Sequence, residues 1–135
     1  MGVGLFAKCN IKRGEVFLVE RPLLVSPNTV KASSKNLFLH HYTPQQIEHI
    51  IMLEFESFLE YAFNRLPIES QADFKALHNA HTADGNCPLL GIMWSNGYGI
   101  GNLYDGSDGV GRYGAVSKIG SRINHRCGLT PLFWL

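Results

Sequence analysis

The sequence predicts an α+β fold in which short strands at both ends of the chain enclose a helical segment. Three observations carry that expectation. The N-terminal stretch is apolar and β-branched and is broken by a glycine turn; from Thr43 the apolar residues recur at three- and four-residue steps; and past Gly85 glycine crowds the chain. The divisions fall at residues 1–28, 29–85 and 86–135. With 135 residues, of which 45% are hydrophobic and 17% charged, one globular domain with a single core is expected.

In the first division, Lys12-Arg13-Gly14-Glu15 reads as a turn. After it, Val16-Phe17-Leu18-Val19 is a short continuous apolar run, which predicts a buried strand. Leu23-Leu24-Val25, between Pro22 and Pro27, predicts another. The second division opens on Thr43-Pro44-Gln45-Gln46, which offers a cap residue, proline at the first helical position and glutamine at the third. Ile47, Ile50, Ile51, Phe55, Phe58, Leu59, Ala62, Phe63 and Leu66 then form one apolar helical face ending near Pro67. A shorter helix is expected from about Ser70 to Ala80, burying Phe74 and Leu77. In the third division the density of glycine predicts short strands, tight turns and an extended loop over Asp105 to Gly111. Leu132-Phe133-Trp134-Leu135 is an apolar run with neither turn nor cap after it, an exposed sticky edge that predicts an interrupted domain.

A net charge of +1, with scattered Lys and Arg, gives no electrostatic footprint for nucleic acid. Neither a signal peptide nor an apolar run of membrane-spanning length is present, so an intracellular protein of the nucleus or cytoplasm is expected, with no membrane partner. Cys9, Cys87 and Cys127 are odd in number and far apart, which disfavours a disulfide framework or a self-contained zinc ribbon. His40, His41, His49, His78 and His81 have no acidic or sulfur partners at a metal-binding spacing and read as surface or helix-end residues. No metal site is expected.

Gly2-Val3-Gly4-Leu5-Phe6-Ala7 matches G-x-G-x-x-A, and Glu20 follows near the place of a ribose-binding acid. A dinucleotide fingerprint needs a strand before it and a full helix after it. Only Met1 precedes Gly2, and Gly14 would end any helix after barely two turns.

Extended through Ile11-Lys12-Arg13-Gly14-Glu15 and Glu20-Arg21-Pro22-Leu23, the same stretch resembles the opening of a SET domain. Ser121-Arg122-Ile123-Asn124-His125-Arg126-Cys127 is similar to the SET signature Asn-His-Ser-Cys, and Ser95-Asn96-Gly97-Tyr98-Gly99 to the Asn-x-aromatic-Gly strand of SET domains split by a helical insertion, a type common in fungi. The resemblance spans essentially the whole chain. It implies a β-rich SET architecture, S-adenosylmethionine as methyl donor, a lysine-bearing protein as substrate, and cofactor contacts from Gly2, Val3, Gly4, Asn96, Asn124 and His125. For Asn96, Asn124 and His125 the alternative is an ordinary polar turn. Cys127 has two readings, a small buried hydrophobe or one thiolate of a zinc site whose other three cysteines are not in this sequence.

Two departures qualify the resemblance. Arg126 replaces the signature serine, and Gly128-Leu129-Thr130-Pro131 replaces Ser-Pro-Asn. The Gly-Glu-Glu-x-x-x-x-Tyr segment that completes the family's pseudoknot and supplies its catalytic tyrosine is not found in residues 1–135, and Tyr42, Tyr61, Tyr98, Tyr104 and Tyr113 do not match it. No catalytic residue is therefore assigned. The expectation is a catalytically incomplete lysine-methyltransferase-like fragment, or a non-catalytic SET remnant that acts as a binding module.

Overall fold

A computed structural model describes residues 4–28, 42–82, 87–100 and 113–123. Among them the chain is a small α+β fold of three helices and a three-stranded antiparallel sheet. Strand β1 (Leu24–Pro27) precedes helices α1 (Pro44–Phe63), α2 (Ile68–Lys75) and α3 (Pro88–Asn96), and strands β2 (Tyr98–Ile100) and β3 (Tyr113–Val116) follow. Helices α1 and α3 lie against the sheet, and α2 lies against α3. The sheet order is β1-β3-β2, with Leu24 opposite Val116 and Tyr98 opposite Ala115. A hydrogen bond of 2.8 Å from the Leu23 amide to the Val116 carbonyl continues the ladder past β1.

Helix α1 starts as its sequence requires. The Gln46 amide donates to the Thr43 hydroxyl, the Thr43 amide donates to the Gln46 side chain, and Pro44 occupies the first turn. The helix buries Leu59 and Phe63, with Met52, Phe55 and Ala62 packed alongside. Phe63 meets Phe74 of α2 edge-on at 5.6 Å between ring centroids. The apolar band is wider than the core it faces: Ile51 and Phe58, expected on the buried face, remain exposed. Helix α2 spans Ile68–Lys75 rather than reaching Ala80, although Phe74 and Leu77 are both buried as expected.

Two strand expectations are corrected. Val16-Phe17-Leu18-Val19 is not a strand, and Val16 and Val19 are 71% and 83% exposed. Both edges of β3 are already taken by β1 and β2, so this run has no place beside the central strand. Residues 88–96, expected among glycine-rich strands and turns, form helix α3 instead. Cys87, at its N-cap, makes no side-chain capping bond, and the cap comes from α1. The Glu56 carboxylate accepts the Leu89 amide at 2.9 Å and the Leu90 amide at 2.8 Å. A carboxylate at a helix N-terminus meets both orphan N–H groups and the positive end of the dipole.

Gly91 is accommodated in α3 because Asn79 packs against it: an added Cβ would lie 2.5 Å from the Asn79 Oδ1. Gly97 ends the helix under a tighter constraint, since a Cβ there would approach the Met93 carbonyl oxygen to 2.5 Å. The expected loop at 105–111 and the apolar run at 132–135 lie outside the described residues.

Glu56 is 5% exposed, and each hydrogen bond to a charged group is worth about 1.5–3 kcal/mol. Glu56→Ala leaves both amides unpaired and is expected to cost on the order of 3 kcal/mol, with Glu56→Gln, which keeps one acceptor oxygen, losing less. Thermal or urea unfolding of the three proteins checks this, and an unchanged midpoint for Glu56→Ala would count against it.

Candidate functional site

The turn Lys12-Arg13-Gly14-Glu15 forms as expected. Gly14 adopts φ +82°, the Glu15 amide donates to the Lys12 carbonyl at 3.0 Å, and the Lys12 amide donates to the Glu15 carboxylate at 2.9 Å. The residues on both sides of this turn run without regular structure as a ribbon that returns to the far end of the chain.

Two contacts hold the ribbon there. The Leu5 amide donates to the Arg122 carbonyl at 3.3 Å, bringing half-buried Gly4 against the 3₁₀ turn Gly120–Arg122. The Glu20 carboxylate accepts the Ile119 amide at 2.9 Å and the Gly120 amide at 2.8 Å, capping the same turn. Glu20, the decoy ribose acid, therefore has a structural task, and no helix follows Gly4 before Gly14. The turn is braced from within by the Ser117 amide donating to the Ser121 hydroxyl at 2.8 Å and by Arg122 Nε donating to the Lys118 carbonyl at 3.1 Å. Ile123 leaves the turn in an extended conformation, with φ −75° and ψ 119°.

Of the residues expected to contact a cofactor, Gly4 and Asn96 are described, whereas Gly2, Val3, Asn124 and His125 lie outside the described residues. Gly4 is next to the turn that leads into Asn124. Asn96 has other employment: its side-chain amide donates to the His78 carbonyl at 2.6 Å and to the Ile92 carbonyl at 2.8 Å. Both amide protons are thereby spent on tying the end of α3 to the segment after α2, and a ligand would find only its carbonyl oxygen.

A cavity of about 240 Å³ opens between the sheet and helices α1 and α3, lined by Ser26, Asn28, Phe55, Met93, Trp94 and Tyr98 among others. Ligand pockets run to about 300–1,000 Å³, so a side chain fits this one better than a whole nucleoside cofactor does. The Tyr98 ring lines it, and the Tyr98 hydroxyl makes a close hydrogen bond to the Ser117 hydroxyl, beside the braced turn. Phe55 was legible only as an apolar position of the first helix and Trp94 carried no signal, because their convergence depends on α3, which the glycine-rich sequence hid. Glu56 carried a signal: it is a charged residue in step with Met52, Leu59 and Phe63 on the buried face.

Burial pushes the Cys87 thiol up from its ordinary value, and the Glu56 carboxylate pushes it the same way. His49 and His78 are exposed, and His81 meets the Trp94 ring edge-on at 5.3 Å. Among the described residues no cluster of three or more His, Cys, Asp or Glu gathers that could hold a metal. His40, His41 and Cys127 lie outside them. Among the described residues no helix is long and apolar enough to cross a membrane.

Comparisons of the chain with protein-family models, curated proteins and solved structures found no match.

If Glu20 pins the ribbon, Glu20→Ala is expected to speed hydrogen exchange at the Ile119 and Gly120 amides by at least an order of magnitude, with the α1 amides unaffected. Exchange resolved by residue or short peptide measures this. Equal rates in both proteins would show that the contact holds nothing.

Proposed function

We propose that this chain is a SET-type, S-adenosylmethionine-binding segment of the lysine-methyltransferase class, catalytically incomplete within residues 1–135. The supporting observation is the hydrogen-bonded meeting of the Gly4 ribbon with the turn that runs into Asn124-His125. Two segments about a hundred residues apart, each resembling one cofactor-binding motif of that family, come together through the Leu5 amide on the Arg122 carbonyl and the Glu20 carboxylate on the Gly120 amide. Neither contact is required by the resemblance alone.

In this reading Gly4 lets backbone approach the ligand without a Cβ in the way, and the Asn124 side-chain amide and His125 supply polar contacts from the other side. The chemistry supplied by the bound cofactor is transfer of a methyl group from its sulfonium to a neutral lysine amine of a substrate protein. The cavity beside Tyr98 is sized for a side chain, which suits a protein substrate. The setting is the nucleus or cytoplasm, where such substrates are met, and free Cys9 and Cys87 suit a reducing compartment. Asn96, with both amide protons committed, has at most a lesser part. A non-catalytic binding module is the second reading.

Calorimetric titration with S-adenosylmethionine, alongside a methyl-transfer assay on a lysine-rich protein, tests the proposal. Weak binding is expected, because ordering loops consumes part of the interaction energy. Asn124→Ala should lower affinity about tenfold, the loss expected for about 1.4 kcal/mol of hydrogen bonding. No turnover is expected from residues 1–135, since groups that align the reactants are missing. Absence of binding, or equal affinity in Asn124→Ala, would overturn the cofactor assignment, and rapid turnover would overturn the incompleteness.

A further inference from the structure

Tyr98 belongs to two parts of the molecule at once. Its ring lines the cavity with Phe55, Met93 and Trp94, and its hydroxyl is hydrogen-bonded to the Ser117 hydroxyl, where the chain leaves β3 for the turn Gly120–Arg122. The sheet register brings this about. Tyr98 is opposite Ala115, and Ser117 follows two residues later, the diagonal position that a long aromatic side chain can span.

Ser117 is 1% exposed, so its hydroxyl needs a partner inside the protein, and Tyr98 provides one. The Ser117 amide donates in turn to the Ser121 hydroxyl. The ladder between β1 and β3 ends at Val116, one residue earlier, so from Ser117 onward side chains take over from the sheet. Tyr98 and Ser121 hold Ser117, and Glu20 holds Ile119 and Gly120 from the ribbon.

We propose that Tyr98 is a positioning residue, whose hydroxyl acts through Ser117 to set the turn Gly120–Arg122 at a fixed place relative to the cavity. As to the ligand, this rests on the function proposed above: a cofactor gripped beside the turn and a substrate side chain in the cavity react only when the two are aligned. A purely structural hydroxyl would do no more than satisfy Ser117, and affinity separates the two roles.

The test compares the full chain with Tyr98→Phe, which keeps the ring in the cavity, and with Tyr98→Phe/Ser117→Ala, which also removes the hydroxyl left behind. Hydrogen exchange without ligand is expected to speed about fivefold or more at the Ser117, Ile119 and Gly120 amides in both variants, with the α1 amides unchanged. The thermal midpoint should fall in Tyr98→Phe and recover in the double variant, because a buried hydroxyl without a partner costs more than an apolar pair. Calorimetric titration with S-adenosylmethionine is expected to show about fivefold weaker binding in both variants, so that affinity stays low where the midpoint has recovered. Recovery of exchange and affinity together with the midpoint would make the role structural only and overturns the proposal. So does exchange at the turn that is unchanged in Tyr98→Phe, or one affinity shared by all three proteins. Absence of binding by the unaltered chain would defeat the cofactor reading instead, and the exchange rates of the double variant then decide whether Tyr98 sets the turn.

Discussion

Two hydrogen bonds from the Leu89 and Leu90 amides to the buried Glu56 carboxylate set the geometry on which the other elements depend. Helix α3 makes no side-chain cap of its own and carries Gly91 in its interior, a residue that costs a helix about 1 kcal/mol relative to alanine. Its start is defined by the charge that α1 delivers. Its end is defined by Gly97, where no Cβ can be admitted beside the Met93 carbonyl, and β2 begins at the next residue. The register of β2 on β3 follows, and β3 feeds the turn that Glu20 caps. Two carboxylates, each on a pair of backbone amides, thus link the helices to the sheet and the ribbon to the sheet's exit.

What could be read in advance follows from where each signal lies. The start of α1 was fully legible because the capping box and proline are local to it. The turn at Gly14 was legible because only glycine takes its φ of +82° easily. Helix α3 was hidden because its cap lies in another helix, so the glycines were weighed without the interaction that offsets them. The run Val16–Val19 has the composition of a buried strand, but composition does not say whether a sheet edge is open to it. At the site, the resemblance pointed to Gly4, Asn124 and His125, of which Gly4 lies beside the turn ending at Ile123 while Asn124 and His125 lie outside the described residues. It also pointed to Asn96, whose amide the fold uses elsewhere. Glu20 was noticed for a nucleotide role it does not have, since its position near a glycine motif is clear in sequence and its contact with Ile119 and Gly120 is not.

The division of labour along the chain is therefore physical rather than sequential. Helix α1 supplies the core with one face and holds α3 with one buried carboxylate, while its other face carries acid and exposed apolar side chains. The ribbon and the 3₁₀ turn contribute backbone groups rather than a cluster of reactive side chains. The side-chain-sized cavity is joined to this surface through the Tyr98 and Ser117 hydroxyls.

In the function we propose, the N-terminal ribbon and the Asn124-His125 stretch form one side of a single ligand site. An amide-resolved nuclear magnetic resonance titration with S-adenosylmethionine tests it most directly. The Gly4, Leu5, Ile123 and Asn124 signals are expected to shift together along one binding curve, while the α1 and α2 amides stay in place. Shifts confined to one of the two segments, or none at saturating ligand, would contradict it.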